Sequence, residues 1–206
     1  MSNDPFTKNR AAYDEIAGRY AERNAEMQPY IVDSANRLIE ALRAAGRANL
    51  PVLDLGCGAG RDSAWLSSRG VRVNGADLSR GMLAEAKKRV QSPLCQLDMR
   101  SLPFATDSFA AVWCQAALLH LPKALAPAAL REARRVLLPE GLLYVSVQRG
   151  ETEGFETRPY EPEERYYAHY QVDEFVNLVQ SAGFTIVEQG EAFARRPWVW
   201  VRARKK

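Results

Sequence analysis

Cysteine is scarce in this 206-residue chain: Cys57, Cys95 and Cys114 are the whole complement, an odd number with no C-x-x-C spacing. That argues against a disulfide framework and against a zinc site, so no metal is expected, and the usage suits a reducing, cytoplasmic setting. Long hydrophobic runs are missing as well. The most apolar stretch, FAAVWCQAALLHL, is interrupted by Gln115 and His120 and is too short to span a bilayer, so no membrane partner is expected. The opening MSNDPFTKNR is polar and lacks the apolar centre of a signal peptide. There is no internal repeat and no low-complexity tract, and the net charge is only +3 at pH 7. The basic residues are scattered and the tail RARKK reads as a solvated terminus, which makes nucleic acid an unlikely partner. With 47% hydrophobic and 26% charged residues, the composition is that of a globular protein with length enough for one sizeable core.

What is present is a change of period along the chain. Residues 10–46 read as helical: Tyr13, Ile16, Ala17 and Tyr20 fall on one face, and the run YIVDSANRLIEALRAAG stops at Gly46. From Leu50 onward, short strands (PVLDL, VRVNGAD, LCQLD, FAAVWCQ, LLYVSVQ) alternate with helices (RDSAWLSSRG, SRGMLAEAKKRV, PAALREARRVL). This alternation predicts an α/β fold, a doubly wound and mostly parallel sheet with helices on both faces. The last two strand patterns, FTIVEQG and PWVWVRA, are joined by a short turn and should pair antiparallel, with Trp198 and Trp200 as structural residues. Between Gln148 and Gln171 the chain fits neither period. So long a loop tends to be functional, and its aromatics (Phe155, Tyr160, Tyr166, Tyr167, Tyr170) argue against disorder.

The chemistry gathers at strand ends, where ligands bind in such sheets. VLDLGCGAGRDS runs a strand into a glycine turn and then a helix, with Gly56, Gly58 and Gly60 at alternate positions. That spacing is one residue tighter than the dinucleotide fingerprint. Asp77 follows Gly56 by 21 residues, close to the distance at which an acidic residue meets ribose hydroxyls, and Ser79 is free to cap the next helix in its place. Asp98 closes the third strand, where a carboxylate can accept from an adenine amino group, with Met82 and Met99 available to pack on the ring.

In order and spacing, VLDLGCGAGRDS, GADLS, DMRSLPF, FAAVWCQAALLHLP and RVLLPEGLLYVSV resemble the successive motifs of class I S-adenosylmethionine-dependent methyltransferases, over roughly residues 50–190. The resemblance implies a seven-stranded sheet in the order 3-2-1-4-5-7-6 with an antiparallel last strand. It also implies S-adenosylmethionine as cofactor and S-adenosylhomocysteine as product. Carried over by motif, Asp54, Gly56, Cys57, Gly58, Gly60 and Arg61 surround the methionine end. Asp77 and Leu78 meet the ribose, and Met82, Asp98 and Met99 the adenine. Gln115 lies near the sulfonium, with Tyr13 and Tyr20 covering the cofactor. The expected division of residues 1–206, a single methyltransferase domain, is a helical cap (1–48), a cofactor-binding core (49–148), an acceptor-side insertion acting as a lid (149–170), and a final helix with an antiparallel hairpin (171–206).

The motifs leave the acceptor open. His120 is the candidate general base, with Tyr20 the other candidate catalytic residue, and Arg165, Tyr166 and Tyr167 are candidates for gripping the acceptor together with His120. The pairs Arg134/Arg135 and Arg195/Arg196 read as solvated faces. A small-molecule acceptor and a monomer or homodimer are expected. Two other readings stand: a tRNA wobble-uridine carboxymethyl methyltransferase, suggested by the similar phrase ERYYAHYQVDEF, and a non-catalytic cofactor-binding module.

Overall fold

The computed structural model describes residues 4–158 and 161–206. Helix α1 (Pro5–Arg23) starts at Asp4, whose carboxylate accepts from the Thr7 backbone N–H, and α2 (Pro29–Ala44) follows after a short turn. The alternating part comprises β1 (Val52–Leu55), α3 (Arg61–Ser67), β2 (Val73–Asp77), α4 (Arg80–Lys87), β3 (Leu94–Gln96) and β4 (Phe109–Gln115). It continues through a 3₁₀ turn (Leu118–His120), α5 (Ala126–Val136) and β5 (Leu137–Gln148). After β5 come β6 (Glu153–Arg158), β7 (Glu161–Ala168), α6 (Val172–Ser181), β8 (Phe184–Ala194) and β9 (Arg196–Lys205).

The main sheet has the order β3-β2-β1-β4-β5-β9-β8. All neighbours from β3 to β5 are parallel, and β9 runs antiparallel to both β5 and β8. This is the expected fold. Every residue of β4 is buried, as befits a central strand covered on both faces. The two-residue period then splits its side chains. Val112 and Cys114 face a core shared with α5 and α6, while Ala111 and Trp113 face a second core under α2. Trp113 stacks on Tyr144 with centroids 4.0 Å apart and donates to Asp62 Oδ2 at 2.9 Å, so its one polar atom is satisfied. Trp200 extends the stack from the other side of Tyr144, the structural role expected of it.

The segment after β5 differs from the long loop expected. Strands β6 and β7 form a separate antiparallel hairpin, with Phe155 opposite Tyr166 and Glu156 opposite Arg165. Its alternation escaped the sequence pattern because Arg165, Tyr166, Tyr167 and Ala168 of β7 are buried in succession, so no polar face alternates with an apolar one there. Tyr160 lies outside the described residues. Among the described residues no helix is long and apolar enough to cross a membrane, and no metal-binding cluster of His, Cys, Asp or Glu is present.

Candidate functional site

The parallel strands end along one edge, and the glycine turn begins there. Gly56, Gly58 and Gly60 all have positive φ (79°, 53° and 78°). Their reasons differ. A Cβ on Gly56 would stand 2.2 Å from the Ala117 Cβ, and one on Gly60 would press on Ala86 at 3.0 Å, whereas one on Gly58 would point into open space. Gly58 thus leaves bare backbone open to the cavity, and Gly60 serves as the left-handed N-cap of α3. The Asp77 carboxylate is aimed by two backbone donors, Gly58 N–H on Oδ2 and Ser79 N–H on Oδ1, each at 2.8 Å. Burial raises its pKa, against the pull of those N–H groups. Ser79 does cap α4, accepting from Met82 N–H at 3.0 Å. Its hydroxyl also donates to Asp14 at 2.6 Å, which ties α1 over this edge. Behind the turn, Asp54 accepts from Ser63 Oγ at 2.6 Å, and burial together with nearby Asp62 raises its pKa to about 8.

This edge borders a cavity of about 640 Å³ that runs from the glycine turn past Gln115 to the β6–β7 hairpin. Its far wall is cross-linked. Asn9 of α1 donates to the Tyr166 carbonyl (3.1 Å) and the His120 carbonyl (3.2 Å), and accepts from the Tyr166 amide (2.6 Å). His120 Nδ1 lies 3.0 Å from the Tyr166 carbonyl, which can only accept, so Nδ1 carries the proton. Nε2 therefore accepts from the Tyr13 hydroxyl at 2.7 Å, and that hydroxyl accepts from Arg165 Nη1 at 3.2 Å. Burial lowers the His120 pKa to about 3, so the ring stays neutral through the physiological range, while burial raises Tyr13 well above its ordinary value.

The family model described as a methyltransferase domain matches residues 52–141, from β1 into β5. Methyltransferase GfsG of Streptomyces halstedii is 33% identical over 175 residues, covering 77% of this chain and 62% of that protein. Demethylmenaquinone methyltransferase of Beutenbergia cavernae is 35% identical over 159 residues, with the same two coverages, 77% and 62%. From β1 into β5, and in the order of its sheet, the chain is similar to the class I S-adenosylmethionine-dependent methyltransferases. It spans about 62% of the length of these two relatives. The fold extends the likeness. The crystal structure of magnesium protoporphyrin IX methyltransferase from Synechocystis with bound SAH superimposes with a TM-score of 0.76 at 20% identity, covering 98% of this chain and 100% of that one.

The site fits S-adenosylmethionine on its own geometry. Gly58 leaves a cradle open, and each Asp77 oxygen keeps a lone pair free for a ribose hydroxyl. Of the residues expected at the cofactor, Tyr13, Tyr20, Asp54, Gly56, Cys57, Gly58, Arg61, Asp77, Leu78, Met82, Met99 and Gln115 all line the cavity. Two of the cofactor positions do not. Gly60 faces Ala86, and Asp98 is held off the cavity by Arg100, whose guanidinium folds back onto it with bonds of 2.6 to 3.0 Å. Of the acceptor candidates, His120, Arg165 and Tyr167 line the cavity. Tyr166 does not: strand alternation turns it to the other face of the hairpin, where its hydroxyl donates to Glu153 at 2.7 Å.

Several lining residues escaped the sequence reading. Tyr30 of α2 accepts from Gln115 Nε2 at 3.2 Å, and Gln115 Oε1 accepts from Ser146, so the Gln115 side chain is held by its neighbours. Arg195 and Arg196, read as solvated, line the cavity because the antiparallel β9 brings the β8–β9 turn back to the carboxyl edge, and Trp198 comes with them. Only the antiparallel pairing, legible in the sequence, pointed that way. Arg134 and Arg135 stay away from it, engaged with the Gly183 carbonyl and with Glu132.

Proposed function

We propose that this protein transfers the methyl group of S-adenosylmethionine to a small-molecule acceptor by in-line displacement. The observation that supports this best is the continuous cavity, with the Asp77 carboxylate and the bare Gly58 backbone at one end and the hairpin wall at the other. Bound there, the cofactor supplies a methyl carbon already activated by positive sulfur. The chain's own contribution is alignment, which is capable of removing several kcal/mol of barrier. Asp77 and the glycine turn fix one partner. Tyr13, Tyr20, Arg165 and Tyr167 enclose the other, and the β6–β7 hairpin with α1 acts as the acceptor-side lid.

His120 holds Tyr13 in place. Its Nε2 lone pair is already engaged, so a proton leaving the acceptor reaches His120 only through the Tyr13 hydroxyl. With its pKa lowered to about 3, His120 is a weak base, which favours acceptors whose nucleophilic atom is deprotonated near neutral pH.

Calorimetry with S-adenosylmethionine and S-adenosylhomocysteine is the direct test, followed by a metabolite-extract screen with labelled cofactor to name the acceptor. Tight NAD binding in place of S-adenosylmethionine binding overturns the assignment. A salt-sensitive micromolar complex with bulk tRNA, together with methyl incorporation into it, makes RNA the substrate.

A further inference from the structure

The far end of the cavity holds a cation that the methyl-transfer reading does not use. Arg158 ends β6, and its side chain is only 11% exposed. Its guanidinium carbon lies 3.4 Å from the centroid of the Tyr167 ring, which fixes the plane of the fork. Nη2 donates to Gln148 Oε1 at 2.8 Å, and Glu156 Oε2 stands 3.4 Å from it, the nearest carboxylate among the described residues. Nε is buried and has no hydrogen-bond partner. Glu156 is also shared, since His169 Nε2 approaches it at 3.5 Å. Arg196, half-buried at the start of β9, lines the same cavity, and its charge together with burial lowers the Arg158 pKa. Two guanidinium groups thus share this end of the cavity, and among the described residues the carboxylate beside Arg158 is the divided Glu156. A buried donor on a charged group calls for an acceptor, and an oxyanion is the acceptor that also balances the charge.

We infer that Arg158, backed by Arg196, anchors an oxyanion group of the acceptor, a carboxylate or a phosphate, at the end of the cavity over β5 and β9. The sheet order supports the placement. Gln148 closes β5 and pairs with Trp198 of β9, two strands beyond the glycine turn of β1 and on the far side of Gln115. The anion is therefore a handle, held away from the atom that receives the methyl group. The identity of the occupant as a methyl acceptor rests on the function proposed above; the anion site itself does not.

The test titrates wild-type protein saturated with S-adenosylhomocysteine, by calorimetry, with acids matched to their neutral amides: benzoate and benzamide, 3-phenylpropanoate and 3-phenylpropanamide, succinate and succinamide, with phenyl phosphate as the phosphate arm. At least one acid should bind 10-fold or more tightly than its neutral counterpart, a contrast expected for charge-assisted bonds. Arg158→Gln should weaken that acid roughly 10- to 100-fold and leave the amide unchanged. Arg196→Gln should give a smaller loss in the same sense, and it guards against a folding defect in the first variant. The better of the carboxylate and phosphate arms names the handle. Equal binding of acid and amide, no binding of any acid, or full affinity in both variants overturns the inference. If S-adenosylhomocysteine itself fails to bind, the methyltransferase reading falls, and the same acids titrated against the free protein still decide the anion site.

Discussion

The two ends of the cavity are built by different means. The proposed cofactor end is made largely of backbone: positive-φ glycines, two N–H groups on Asp77, and a helix start, all between residues 52 and 82. The proposed acceptor end is made of long side chains from α1, the 3₁₀ turn, the hairpin and the start of β9, stitched together by Asn9 and the Tyr13–His120 pair. A backbone cradle has almost no tolerance for substitution but can hold only a ligand of fixed shape. A side-chain wall can be re-cut one residue at a time, which is how one fold comes to serve many acceptors.

The contrast breaks most visibly at Gly56. Gly56→Val demands a side chain where Ala117 Cβ is 2.2 Å away and φ is 79°. It should cost about 2–4 kcal/mol of stability by denaturant unfolding and lower S-adenosylhomocysteine affinity by more than about 100-fold. Wild-type affinity in this variant would mean that the cradle is not backbone-limited. Next comes Asp77→Ala, expected to weaken S-adenosylmethionine roughly 10- to 150-fold in calorimetry. Unchanged affinity removes Asp77 from the site.

On the acceptor side, Asn9→Ala leaves the Tyr166 amide and carbonyl without this partner. Unfolding free energy should fall by roughly 1–3 kcal/mol, while cofactor affinity changes by about 2-fold or less if the two ends are independent. A large loss of affinity would show that they are coupled.

A further test of the contrast is a pair of opposed pH slopes. Asp54 sits at about 8 when folded against 3.8 as its ordinary value, so its stabilising contribution is complete below 3.8 and is lost as pH rises toward 8. His120 sits at about 3 against 6.5, so its contribution is complete above 6.5 and is lost as pH falls toward 3. In unfolding free energies measured from pH 4 to 8, Asp54→Asn should remove part of the decline toward high pH, and His120→Asn part of the decline toward low pH. Slopes that move in the same direction contradict this assignment.

The same contrast explains what the sequence made legible. Strand-to-turn motifs write the cofactor end almost in full, because a backbone cradle needs particular residues at fixed spacing: Gly56, Gly58 and Asp77 stand where their spacing puts them. Asp98 illustrates a limit of local pattern, since a strand-end carboxylate says nothing about Arg100 two residues later, which folds onto it. Arg158, Arg196 and Asn9 carry no local pattern. Each gains its place from an element far along the chain, and Arg196 in particular depends on the antiparallel return of β9. Tyr166 and Tyr167 were separable only once a strand, with its two faces, replaced the expected loop.

The Asn9–Tyr166 stitch joins residues 157 apart in sequence, whereas β1 pairs with β2 across little more than one helix. Contacts of such unequal range do not form together. Closing a long loop costs entropy before its contacts repay it, so the glycine turn belongs to the early part of folding and the stitched wall to the late part. In pulsed hydrogen exchange during refolding, the amides of Leu53 and Gly75 should gain protection ahead of the Tyr166 amide. A chain caught between those two moments would already have the proposed nucleoside seat while the cavity beside it still lacked its wall.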